Sequence, residues 1–180
     1  MTQNKKYIFG ITGGTGSGKS SVAGLFVNYN AYILDMDKLG HEVLASSAYQ
    51  DIIDRFGTNI LNNDGTINRK KLGSIVFSDP KSLNNLNSIV HPKIKELVYI
   101  RTTTLLKEKD IIVLDGALIF DVGLNHICTH TILVLAHDTT RINRIIKRDG
   151  IDKNQAKNRI KSQRDYNQLV NLVDIIVQNN

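Results

Sequence analysis

Short continuous apolar runs alternate along this chain with longer stretches in which apolar residues recur every three or four positions. Ile8–Ile11, Tyr32–Leu34, Ile111–Leu114, His130–Ala136 and Val173–Asn180 have the length and texture of strands covered on both faces. Between the first two, Val22, Ala23, Leu25, Phe26 and Val27 predict a helix within residues 19–29. From Lys38 to Lys109 the period is helical throughout. Leu39, Val43 and Leu44 share one helix face, and Ile52, Ile53 and Phe56 share another. Leu83, Leu86, Ile89, Val90, Ile94, Leu97 and Val98 mark a long amphipathic segment in which Pro92 predicts a kink or a new start. Asn62-Asn63-Asp64-Gly65 is a turn. Two charged helices follow the fourth strand, one ending at Asp149-Gly150 and one running from Asp152 to about Gln163. Five strands alternating with helices predict a three-layer, doubly wound α/β fold with a parallel sheet. The block 38–109 is far longer than the usual connection in such folds. It reads as a helical insertion that holds an acceptor, within one domain 1–180 whose core is 1–37, 110–140 and 165–180 and whose helical lid is 141–164.

The chemistry starts at the end of the first strand. Gly13, Gly18, Lys19 and Ser20 satisfy G-x-x-x-x-G-K-[ST] with a strand before and a helix after. Glycines let main-chain N–H groups approach an oxyanion closely, and those groups with the start of the next helix make an anion site. Gly14, Thr15, Gly16, Ser17, Gly18, Lys19, Ser20 and Ser21 are therefore the expected nucleotide-phosphate contacts. Lys19 serves the β- and γ-phosphates, and the Ser20 hydroxyl is a ligand for Mg²⁺. Ile111-Ile112-Val113-Leu114-Asp115 has the Walker-B form, in which the acid orients the same ion. Asp35 and Asp37 arrive at the carboxyl end of the second strand, where parallel sheets bind ligands. Two apart, they share a face if the strand lasts that far. One is expected to work and the other to cap the next helix. His91 either contacts a ligand or satisfies a backbone carbonyl. Arg141, Arg144 and Arg148 lie on one helical stripe, either a solvated basic face or clamps for transferring phosphate.

Composition narrows the choices. Lys and Arg total 23 against 17 Asp and Glu, a net charge of +6, which favours anionic partners. With only 6% aromatics a nucleic-acid groove with stacking platforms is not expected. Cys128 is the sole cysteine, so no internal disulfide forms. The start, Met1 to Lys6, leads into too short an apolar run for a signal peptide, and no stretch is long enough to span a membrane. A cytoplasmic location, a monomer and small-molecule partners are the expectation. No N-K-x-D run reads guanine, and Asp115 is followed by Gly116 rather than a second acid that activates water. A small kinase remains, with an inactive nucleotide-binding module as the reading from a different class.

The same residues resemble the dephospho-coenzyme A kinase family. The likeness runs through Gly10 to Ser20, Asp35-Met36-Asp37-Lys38-Leu39-Gly40-His41-Glu42-Val43 and Phe77-Ser78-Asp79-Pro80. It continues through Leu86 to Pro92, Leu114 to Asp121, Arg144 to Gly150, and Arg159, Ile160 and Gln163. The resemblance implies ATP-dependent phosphorylation of the ribose 3′-hydroxyl of dephospho-CoA, with Mg²⁺ as cofactor and Asp37 as base. It implies that Arg144 or Arg148 binds phosphate from the lid, and that Arg148 and Asn179 contact ATP. It places His41, His91, Asp115 and Leu118 beside the acceptor, and Ser20 and Asp115 beside the metal. Ala117 and Asp121 stand where the family has Pro and Glu, and Gly116 is expected to loosen that strand exit. The chain stops at Asn180, where relatives continue into a loop and helix, so one sheet face is expected to be more exposed and the adenine grip weaker.

Overall fold

The computed structural model describes residues 5–180, and the leader reading made on Met1 to Asn4 lies outside the described residues. The chain forms two compact units. One comprises the chain up to Met36 together with Thr102–Asn180, and the other is Asp37–Arg101.

The first unit is built on a five-stranded sheet of order β2-β3-β1-β4-β5, with β1 Tyr7–Thr12, β2 Tyr32–Asp35, β3 Ile111–Asp115, β4 His130–Leu135 and β5 Ile175–Gln178. All four pairings are parallel. The apolar runs are continuous because both sheet faces are covered. On one side Ile11, Val113, Ile132 and Val134 pack with Ala23 and Phe26 from the helix after β1. On the other, Leu133 packs on Tyr166 and Leu169. Alternate residues of β4 thus enter two different cores, as the two-residue period of a strand requires.

Helix α1 spans Lys19–Leu25 and tightens into a 3₁₀ turn at Phe26–Tyr29. Asn30 ends that turn at φ 57°, the left-handed conformation that Asn tolerates. The regular helix is therefore shorter than the apolar periodicity of 19–29 predicts.

The second unit is helical. It contains most of α2 Met36–Ala45, α3 Tyr49–Phe56, α4 Arg69–Ser78 and the greater part of α5 Pro80–Leu105. Its buried residues include Leu39, Val43, Ile52, Ile60, Leu72, Val76, Val90, Ile94 and Val98. Asn68 caps α4 by accepting from the N–H groups of Lys70 and Lys71. Helix α5 runs through Pro92 without restarting. The ring deletes one intrahelical hydrogen bond, but Val90, Ile94 and Val98 bury the same face on both sides of it, and packing outweighs the local penalty.

The remaining helices belong to the sheet unit. They are α6 Asp138–Asp149 and α7 Lys153–Lys161, joined by a small core of Ile142, Ile145 and Ala156. Asp152 and Gln155 form a reciprocal capping box at the start of α7. No helix among the described residues is long and apolar enough to cross a membrane.

Candidate active site

The loop between β1 and α1 takes its shape from glycine. Gly16 and Gly18 sit at φ 76° and 90°, where a side chain is strained. A Cβ on Gly16 would lie 2.7 Å from the Arg141 carbonyl oxygen. The Ser17 N–H donates to Gly14 O at 3.1 Å, and those of Ser21 and Val22 donate to Gly18 O. Ser17 itself is buried beneath the loop.

Helix α6 braces this loop from outside. Arg141 Nε donates to Thr15 O at 3.0 Å. Arg144 Nη1 donates to Asn179 O at 2.8 Å, Ser17 O at 3.3 Å and Gly16 O at 3.4 Å. Arg148 Nη2 reaches Thr15 Oγ1 at 3.4 Å. Gln163, just past α7, accepts from the Thr15 N–H at 2.7 Å, and Asn179 Nδ2 donates to Ser17 O at 2.9 Å. Three successive loop carbonyls are thus drawn toward α6 and Asn179. The three arginines of the stripe touch loop atoms and are not a merely solvated face. They differ in commitment: Arg144 is held by three carbonyls, whereas Arg148 is 60% exposed in its side chain and pairs with Asp149 at 2.7 Å. Hydrogen bonding to Asp149 raises the Arg148 pKa above its ordinary value. Arg148 and Arg159 together hold Asp149 below the usual carboxylate range, Arg148 contributing most.

At the carboxyl ends of the strands, Asp35 and Asp115 are register partners on β2 and β3. Ser20 Oγ donates to Asp115 Oδ2 at 2.7 Å, which sets two hard oxygen donors side by side beside the loop. That donor set suits Mg²⁺, which prefers a few oxygens with the rest of its shell from water and phosphate. Leu118, beyond β3, is exposed. Gly116 is not a loose joint, contrary to the expectation. A Cβ there would collide with the Met36 side chain, and its N–H donates to Ile11 O, so glycine is required for close packing.

The strand does not last to Asp37. β2 ends at Asp35, and Asp37 lies in the first turn of α2, so the two carboxylates do not share a strand face. An acid in a first helical turn is favoured by the helix dipole. In the helical unit His41 follows one turn later, its Nδ1 3.2 Å from Arg69 Nη1, while His91 is half-buried on α5.

The Dephospho-CoA kinase family model matches residues 7–180. The chain belongs to the dephospho-CoA kinase family. Two relatives named Dephospho-CoA kinase support the match. One, from Lactobacillus acidophilus, is 37% identical over 96% of this chain and 88% of its own. The other, from Fusobacterium nucleatum, is 36% identical over 96% and 89%. Among solved structures, TT1252 from Thermus thermophilus superposes with a TM-score of 0.82 at 28% identity, covering 98% of this chain and 90% of that one. Dephospho-CoA kinase from Campylobacter jejuni gives 0.71 at 26%, covering 97% and 89%. Shikimate kinase from Bacteroides thetaiotaomicron, at 0.54 and 12%, covering 96% and 86%, shares the fold.

Asp121 pairs with Arg164 at 2.6 Å. The loop contacts of Arg141 and Gln163 went unassigned in the sequence. The stripe at i, i+3, i+7 pointed to Arg141, but nothing local to Gln163 signals a partner 148 positions away.

Proposed function

We propose that the protein transfers the γ-phosphoryl group of ATP to the 3′-hydroxyl of dephospho-CoA, giving coenzyme A and ADP. The observation that carries this is the braced phosphate loop with Ser20 hydrogen-bonded to Asp115, in a chain of the dephospho-CoA kinase family. The loop N–H groups seat the β- and γ-phosphates, and Lys19 neutralises charge that moves onto the leaving oxygen. Arg148, the less committed arginine of α6, covers the transferring group. Arg144 holds the loop in register, and Asn179 fixes the same turn. Asp37 accepts the proton of the 3′-hydroxyl as the new O–P bond forms and the β–γ bridging bond breaks. Mg²⁺, held by Ser20 and Asp115, supplies charge neutralisation on the phosphate oxygens when bound. His41, His91, Asp115 and Leu118 line the acceptor side, and the helical unit carries the acceptor. The protein works as a cytoplasmic monomer on small molecules, without nucleic acid.

The test is incubation with Mg·ATP and dephospho-CoA, followed by mass spectrometry. Formation of coenzyme A that Lys19→Ala abolishes is expected. ATP binding without product from dephospho-CoA overturns the assignment, and a screen of other hydroxyl acceptors then identifies the substrate.

A further inference from the structure

Within the helical unit lies a cavity of about 290 Å³ that the transfer chemistry leaves unused. Its wall is Leu44 and Ala45 of α2, the Tyr49 ring and Ile67, and His41 and Arg69 stand at its edge. Most of its polar atoms are already spoken for. Tyr49 Oη donates to Gly65 O at 2.6 Å. Asp64 turns back on its own loop, accepting from the Thr66 N–H at 3.0 Å and its hydroxyl at 2.6 Å, and those bonds hold its pKa below the ordinary value. Arg69 is the exception, since it meets the His41 imidazole rather than a carboxylate. Because a guanidinium only donates, His41 Nδ1 accepts, and its Nε2 carries the hydrogen. The cavity therefore pairs an apolar wall with a cationic edge and a second N–H donor.

Its place on α2 gives those features a direction. Asp37, His41 and Leu44–Ala45 follow at i, i+4 and i+7 to i+8, so they form one stripe along the helix. At 1.5 Å per residue, Ala45 lies roughly 12 Å along the axis from Asp37. The buried residues of this helix, Met36, Leu39 and Val43, lie away from that stripe. An acceptor whose ribose hydroxyl meets Asp37 has its 5′-substituent within reach of the cavity. In dephospho-CoA that substituent is a diphosphate followed by a carbon bearing two methyl groups and an amide-linked thiol arm.

We infer that this cavity is the subsite for the acceptor's arm, in which Arg69 and His41 bind the diphosphate and Leu44, Ala45, Tyr49 and Ile67 receive the dimethyl carbon. The inference rests on the assignment of Asp37 to the ribose hydroxyl made under Proposed function. It makes Arg69 a specificity-determining residue that separates the full acceptor from nucleosides lacking the arm.

Two variants test it, Arg69→Ala and Ala45→Phe, the second filling the cavity from an exposed helical position. Steady-state rates are measured with dephospho-CoA and with adenosine, which keeps the ribose hydroxyl and lacks the arm. Each variant is expected to raise KM for dephospho-CoA about tenfold or more, with KM for ATP and kcat/KM for adenosine unchanged. As a probe independent of turnover, 4′-phosphopantetheine is titrated into the wild-type protein and the methyl resonances of Ala45 and Ile67 are followed. Both are expected to shift, and the Ile67 shift is expected to vanish in Arg69→Ala. An unchanged KM for dephospho-CoA in both variants, an equal loss with adenosine, or static methyl resonances overturns the subsite while coenzyme A formation by the wild type still stands. A wild-type protein that makes no coenzyme A from dephospho-CoA overturns both assignments together.

Discussion

The candidate phosphate site of the sheet unit and the proposed arm subsite of the helical unit are built by opposite means. Beside the sheet, the donors offered are mainly main chain. The loop from Gly13 to Ser20 offers N–H groups, and side chains from α6 and the chain end act mainly on its carbonyls. In the helical unit the proposed arm subsite is made of side chains standing on a helix stripe and on one loop. A main-chain site is written as contiguous glycine and turn chemistry. A side-chain site draws residues from positions 37 to 69, which only folding brings together. The first kind suits the phosphates common to every nucleoside triphosphate. The second can distinguish one acceptor from another.

The largest test of that division is Asp37→Asn. It should lower kcat by about 10²–10⁴ while leaving ATP affinity as it is, measured by displacement of a fluorescent nucleotide. Unchanged turnover would move the base to Asp35. Next is Arg144→Ala, which removes the donor that ties Gly16, Ser17 and Asn179 together. Charge-assisted bonds of this kind are worth about 1.5–3 kcal/mol, so KM for ATP should rise about 10- to 100-fold with KM for dephospho-CoA nearly constant. A rise in both constants would break the separation between the units. Gln163→Ala loses one neutral acceptor, about 1 kcal/mol, and should raise KM for ATP about fivefold, read from initial rates.

The smallest effect on activity should come from Asp174→Asn, just before β5 and outside the candidate site. Asp174 accepts from the Thr131 N–H at 2.7 Å and its hydroxyl at 2.8 Å, and the backbone and hydroxyl bonds of Thr131 lower its pKa. A carboxylate with a depressed folded-state pKa stabilises the protein above its unfolded pKa of about 4. That contribution fades as pH falls through the lower folded value. Thermal melts should therefore show wild type more stable than Asp174→Asn at pH 7, with the two converging in acid. Parallel curves down to pH 2 would remove Asp174 from the acid response.

How much of this was legible follows from the same contrast. β1, β3 and β4 could be read because burial on both faces leaves unbroken apolar runs, and the phosphate loop because its glycines and Lys19-Ser20 are adjacent. The turn of Asp37 into α2 could not, since Asp35 and Asp37 fit a strand as well as a strand followed by a helix start. Of the two readings of Pro92, a new helix start does not occur, because Val90, Ile94 and Val98 are anchored on both sides of it. The neighbourhood of His41 and Arg69 depends on the Asn62–Thr66 turn, whose sequence announces a reversal but not what it faces. Gly116 reads as slack in a chain and acts as clearance for Met36 once folded.

Cys128 packs against the middle of β1, where a side chain on Gly10 would come within 2.7 Å of its sulfur. Burial pushes its thiol up from 9.0 to about 12. At neutral pH the reactive thiolate is then roughly a thousandfold scarcer than in an exposed cysteine. Alkylation of this half-buried sulfur should be slow in the folded protein and quicken as its packing against β1 loosens, so the rate of its modification under mild denaturant is an internal clock for that loosening, available without adding any label.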